Sequence, residues 1–367
     1  MSNKLTYPTI TVVSCIFLLT FSGIGMAFFT SDLAGTWHGH QIVTGDAPSD
    51  DPRWGYGSMV IDTSGNYTVN WNSPTHSNEV SNGTIQMNIN GIFMIDNQPL
   101  TKGAMNNAKD QLVFVDGTSQ NGGSGLVVLN KRAANSPFSI GDLEGTWYGN
   151  HVVSGDRPVD DPRWGYGTVT INSSGIYTAT WTSPTQSNEV TSGTIQTDPN
   201  GMITIDNQPL SHGVMNDSKN QIVLIEGTPQ TKGNALTVLT KHDSGTSFAI
   251  SDMAGDWYGH QIVSGDAETD DPRWGFGTIT LNSTGDYTAS WNSASSSNEV
   301  TSGTIQLSSA GIITLNNQPL SHGVLNDGKD QFIITDGTTE NKGNGLMIFI
   351  RFTPSGLPGA YHMLLDE

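Results

Sequence analysis

The 367-residue chain carries one segment three times without a gap. Leu33-Ala-Gly-Thr-Trp37 returns as Leu143-Glu-Gly-Thr-Trp147 and as Met253-Ala-Gly-Asp-Trp257, so the tryptophans at 37, 147 and 257 stand 110 residues apart. Asp50-Asp-Pro-Arg-Trp54-Gly55 and Ser77-Asn-Glu-Val80 recur unchanged at the same interval. Register kept over that length predicts three copies of one fold. The divisions are a leader at 1–27, repeats at 28–134, 135–244 and 245–354, and a tail at 355–367. Short polar stretches, Ala133–Pro137 and Asp243–Ser247, read as linkers, and each copy is expected to fold alone.

Within a copy the apolar period is two. In the third, Ile279 and Leu281 alternate with Thr278 and Thr280, and Tyr287, Ala289 and Trp291 alternate with Thr288 and Ser290. Such alternation predicts strands with one buried and one wet face. Eight strands are expected per copy, near 257–263, 277–281, 286–291, 301–307, 312–315, 323–325, 331–335 and 345–351, with no helix. Tight turns rich in Gly, Asn and Asp alternate with longer connectors. In an up-and-down order, this alternation gathers every long loop at one end. The fold class is all-β: three tandem eight-stranded antiparallel up-and-down barrels, with a six-bladed propeller as the alternative from the same strands.

The openings Gly35-Thr-Trp37 and Gly145-Thr-Trp147-Tyr148 resemble the first strand of the calycin group, the lipocalins and avidins. That resemblance implies a barrel whose first-strand tryptophan packs beside a basic residue ending the last strand. Lys131, Lys241 and Arg351 occupy that place, each 94 residues after its tryptophan (131 − 37, 241 − 147, 351 − 257). The third copy departs from the pattern with Asp256 in place of Thr.

Lys and Arg total 15 against 34 Asp and Glu, a net charge of -19. Such a surface repels nucleic acid and anionic lipid. The one cysteine, Cys15, lies in the leader, so the repeats hold neither disulfide nor thiolate site. Lys4, an apolar run from Ile10 to Phe21 and Gly25-Met26-Ala27 follow the order of a secretory signal peptide. An uncleaved anchor is the alternative, and would be the chain's only membrane contact. Either way the expected location is extracytoplasmic.

The loop after the first strand concentrates carboxylates: Asp46, Asp50 and Asp51, then Asp156, Asp160 and Asp161, then Asp266, Asp270 and Asp271. These are hard oxygen ligands of the kind Ca²⁺ takes, although an Arg–Asp latch is the plainer reading of them and no cofactor is required. Trp54, Trp164 and Trp274 end the same loop. With Asn78 and Glu79, Asn188 and Glu189, and Asn298 and Glu299, they form the candidate ligand contacts, a stacking ring flanked by polar groups. Lys102, His212 and His322, after a shared Asn-Gln-Pro-Leu, read as exposed loop residues. No metalloprotease, nucleophile-elbow or phosphate-loop motif is present. The expectation is an exported, non-enzymatic, multivalent binding protein using the long-loop face. Its ligand would be a divalent cation, a glycan, a small molecule or a surface protein. A structural surface or matrix protein is the alternative, and a glycan-processing enzyme the third reading.

Overall fold

The computed structural model describes residues 27–44, 54–74, 76–117, 123–132, 137–154, 164–183, 186–205, 210–227, 234–264, 274–315, 318–337 and 344–351. The first barrel runs β1 (Gly35–Thr44), β2 (Trp54–Ile61), β3 (Asn66–Asn72), β4 (Glu79–Met87), β5 (Ile92–Ile95), β6 (Thr101–Met105), β7 (Gln111–Asp116) and β8 (Ser124–Arg132). Each strand pairs antiparallel with the next, and β8 returns to β1, leaving no open edge. The second barrel repeats this from β9 (Gly145–Ser154) to β16 (Asn234–Lys241), and the third from β17 (Gly255–Ser264) to β24 (Asn344–Arg351). Three closed barrels exclude the propeller. The tight turns fall at one end of each barrel, as at Asp62–Gly65 and Asn88–Gly91, where Gly65 and Gly91 sit at φ +86 and +80.

A helical turn unforeseen in the sequence precedes each barrel, at Thr30–Leu33, Ile140–Leu143 and Ile250–Met253. Four residues are too few to show a 3.6 period. Its one visible sign is Ser139 three residues before Asp142, whose carboxylate accepts the Ser139 N–H at 2.8 Å. Each turn plugs the tight-turn end with one buried side chain: Leu33, Leu143 or Met253. The Trp37, Trp147 and Trp257 indoles donate to the carbonyls of these three residues at 2.7, 2.8 and 2.9 Å.

The tryptophan and the base do meet. Trp37 faces Lys131, Trp147 faces Lys241 and Trp257 faces Arg351 across the strand pair that closes each barrel. The cations lie 5.1, 5.3 and 4.4 Å from the ring centroids. Lys131 and Lys241 also donate to the Asp32 and Asp142 carbonyls at 2.7 and 3.1 Å. Replacing Lys241 with Ala is expected to cost about 1 kcal/mol. In a double-mutant cycle with Trp147→Phe, urea melts should give a nonzero coupling energy; strictly additive losses would mean that the ring and the ammonium do not interact.

The barrels are not beads on a string. In β3 and β4, and in β2 beyond Trp54 and Tyr56, the outer face is wet, as alternation predicts. In β1, β6, β7 and β8 both faces are buried, and Ser124 through Asn130 are buried without a break. Inward go Trp37, Leu112, Phe114, Val127 and Leu129. Outward go Ile42, Val113, Val115, Leu126 and Val128, into an apolar core shared with Val223, Ile225 and Leu236 of the second barrel and Ile262, Ile333 and Ile348 of the third. The association is cyclic. The Trp54 ring covers Gly227 of the second barrel, Trp164 covers Gly337 of the third, and Trp274 covers Gly117 of the first. A Cβ on Gly117 would lie 2.7 Å from Trp274, so each glycine is the socket for a neighbour's indole.

Three amides close the ring: Gln111 donates to Gln221, Gln221 to Gln331 and Gln331 to Gln111. These glutamines begin the seventh strand of each barrel, beside a tight turn, and Ser218 donates to Asp110 from turn to turn at 2.8 Å. At the opposite end the Ser154 hydroxyl donates to the Val43 carbonyl, and Ser264 to Val153. Like ends therefore touch like ends, and the barrels stand side by side with their long-loop ends on one face.

Candidate functional site: the barrel mouths

The inner wall at the long-loop end is built by small residues and one large one. Inward-facing Gly55 and Gly57 in β2 leave no side chain in the barrel, and the Trp71 indole from the adjacent strand lies over both. A Cβ on Gly57 would land on the Asn70 carbonyl, so this slot exists only with glycine. In the second and third barrels the ring instead sets its outer edge against a glycine of the first strand, Trp181 against Gly149 and Trp291 against Gly259. Each indole is half-buried.

Beneath the mouths of the first two barrels lies open space. In the first barrel a cavity of about 440 Å³ is lined by Trp71, Tyr67, Gln41, Glu79, Asp96 and Asp116 above an apolar floor. In the second, about 420 Å³ is lined by Trp181, Tyr177, His151, Glu189 and Glu226, among others. Both lie in the usual range of small-molecule sites, about 300–1,000 Å³. Glu79 is the direct cross-strand partner of Trp71, and the pair recurs as Glu189 with Trp181 and Glu299 with Trp291. The Tyr67 hydroxyl donates to Asp96 at 2.7 Å, and the Thr84 N–H to its other oxygen at 2.6 Å, which fixes that carboxylate. Asp116 keeps solvent access through the mouth. Loss of surrounding water nevertheless pushes its carboxyl above the usual carboxylate range, against a partly offsetting bond from Thr101. Asp336, its counterpart in the third barrel, is raised for the same reason. In the third barrel Phe349, where the others carry Leu129 and Leu239, stands edge-on to Trp291 with centroids 5.8 Å apart and fills part of the interior.

The structure divides the residues singled out in the sequence. Trp54, Trp164 and Trp274 are 2%, 0% and 1% exposed, covered by the neighbouring barrel. They hold the ring together, and no ligand-stacking surface remains on them. Glu79 and Glu189 line the cavities, and Glu299 holds the matching exposed position. Asn78, Asn188 and Asn298 take the left-handed conformation at φ 54, 57 and 54, turning the chain into the fourth strand of each barrel. Asn188 also borders a crevice between the second and third barrels. Asp46, Asp50, Asp51, Asp156, Asp160, Asp161, Asp266, Asp270 and Asp271 lie outside the described residues. Lys102, His212 and His322 are half-buried strand residues, not exposed loop residues. His212 stacks on Tyr56 and His322 on Tyr166 of the preceding barrel, with centroids 3.8 Å apart in both pairs. Sequence reasoning placed Trp291, the counterpart of Trp71, on a buried strand face and missed the cavities beside Trp71 and Trp181; the signal was the Gly-x-Gly of the preceding strand.

No family model matches the chain, and no curated protein does. Among solved structures it is similar to a variant of transferrin binding protein B from Haemophilus parasuis, at 9% identity over 86% of this chain and 75% of that one, TM-score 0.25. Transferrin binding protein B from Neisseria meningitidis gives 9% identity, 87% and 76% coverage and TM-score 0.26. A protein of unknown function from Nostoc punctiforme, of the DUF3598 family, gives 11% identity, 89% and 99% coverage and TM-score 0.23. Likeness at this level leaves function and barrel arrangement unassigned.

Proposed function

We propose that this chain is an exported, calycin-like, multivalent binding protein that takes small molecules into its barrel mouths without transforming them. The observation that carries the reading is the repetition of one cavity, about 440 and 420 Å³, behind equivalent tryptophan–glutamate pairs in two barrels. An aromatic wall with a few convergent polar groups is the usual composition of a ligand pocket. The order of the leader supports export, and the absence of a catalytic motif supports binding over catalysis. Ca²⁺ in the acidic loops remains a separate proposal, on residues outside those described. The test is fluorescence titration of the full chain with the neutral apolar dye N-phenyl-1-naphthylamine. Saturable binding at two or more sites, weakened when Leu129→Trp and Leu239→Trp fill the interiors, is the expected result. A linear, unsaturable response would end the proposal.

A further inference from the structure

Resting on that reading of the mouths, we infer that the first two barrels select compact organic cations, an ammonium or guanidinium group carried on a small apolar body. Among the described residues, the lining of the first cavity includes three carboxylates, Glu79, Asp96 and Asp116, and no Lys, Arg or His. That of the second includes Glu189 and Glu226, with His151 as the one basic side chain among the described residues. In both, one carboxylate sits directly opposite the tryptophan that forms the wall. Opposed residues on neighbouring strands bring their Cβ atoms within about 4.5–5.5 Å. A cation entering there meets the negative face of an indole and an ionised oxygen together.

The remaining groups favour the same ligand. Asp96 is fixed in place by the Tyr67 hydroxyl and the Thr84 N–H, which donate to its two oxygens and hold the carboxylate at the cavity wall. Asp116 receives one hydroxyl bond from Thr101, and loss of surrounding water makes its charge costly unless a cation enters beside it. A neutral guest would dehydrate that carboxyl further, and an anion would be repelled by all three. A hard metal ion fits poorly. Among the described residues no three His, Cys, Asp or Glu side chains come together as ligands, and an indole wall supplies no oxygen. The net charge of -19 draws cations toward the surface before they find a mouth.

Three probes of one shape separate the terms: benzylamine, benzyl alcohol and benzoate, titrated into the full chain by calorimetry at low salt. Benzylamine is expected to bind two sites at least tenfold more tightly than benzyl alcohol, with no detectable benzoate binding. Glu79→Gln with Glu189→Gln should lower benzylamine affinity at least tenfold while leaving benzyl alcohol unchanged. Benzylamine affinity should also rise with pH through the titration of Asp116, since the bound ammonium favours the ionised carboxyl. Equal binding of amine and alcohol, or an amine affinity indifferent to both glutamine substitutions, would overturn the inference. If the neutral dye binds and benzylamine does not, only the cation assignment fails. If neither binds, the cavity reading falls and takes this one with it.

Discussion

Cut out as residues 137–242, the second repeat is expected not to persist as a soluble monomer. Its outward-facing Val152, Val223, Ile225, Leu236 and Val238 are 1% exposed or less in the ring, and Trp164 is fully covered by the third barrel. Fully burying such a side chain is worth about 1.5–3 kcal/mol. Six of them returned to water amount to on the order of 10 kcal/mol, comparable to the whole stability of a small domain, about 5–15 kcal/mol. The fragment carries both halves of the joint, the Trp164 indole and the Gly227 socket. Sedimentation equilibrium should therefore show trimers or larger species at micromolar concentration. A monodisperse monomer with a cooperative melt would show that the shared core is dispensable, as the sequence alone suggested.

Acid is expected to take the ring apart. His40 and His260 are fully buried where their barrels meet the next, and neither ring makes a hydrogen bond of good geometry. Burial pushes both down to about 3, helped at His40 by the charges of His212 and His38 and opposed at His260 by the Ile348 backbone. The rings are thus neutral in the fold, whereas the unfolded chain protonates them near pH 6.5. The stability from neutral burial is fully present above that pH and is lost progressively as pH falls toward 3. At about 1.4 kcal/mol per unit and per group, the two cost roughly 4 kcal/mol at pH 5. Half-buried Asp330 and Asp336 act the other way, because their raised carboxyls take up protons in the fold. The second repeat supplies the control: Asn150 holds the equivalent position and donates to the His322 carbonyl and the Thr335 hydroxyl at 3.0 and 2.9 Å. His40→Asn with His260→Asn should flatten the decline in urea stability between pH 7 and pH 5. An unchanged slope would acquit the histidines.

The sequence revealed strands more fully than surfaces. Inward alternation at Ile279, Leu281 and Tyr287 gives the strands, and the length of the connectors gives which end is open. What covers a barrel from outside leaves a weaker trace, because a buried outer face and a wet one share the same inner period. The trace was there in Leu112-Val-Phe-Val115 and Leu126-Val-Val-Leu129, apolar runs without alternation, the pattern of strands buried on both sides. Trp54 misled for a related reason. A tryptophan at the end of an acidic loop resembles a binding platform until the Gly227 that receives it is known. That glycine lies 173 residues away (227 − 54), beyond any local pattern.

The way the barrels stand together has a consequence for larger guests. Where binding modules hang on flexible tethers, a bridging partner of almost any length can reach two of them, and gain varies slowly with its span. Here the Gln111–Gln221–Gln331 clasp and the three indole joints fix the separation of the mouths. A guest with two heads is accordingly measured as by a caliper. A spacer matching the gap between neighbouring mouths gains the full benefit of the second head, and one a few ångströms short gains none.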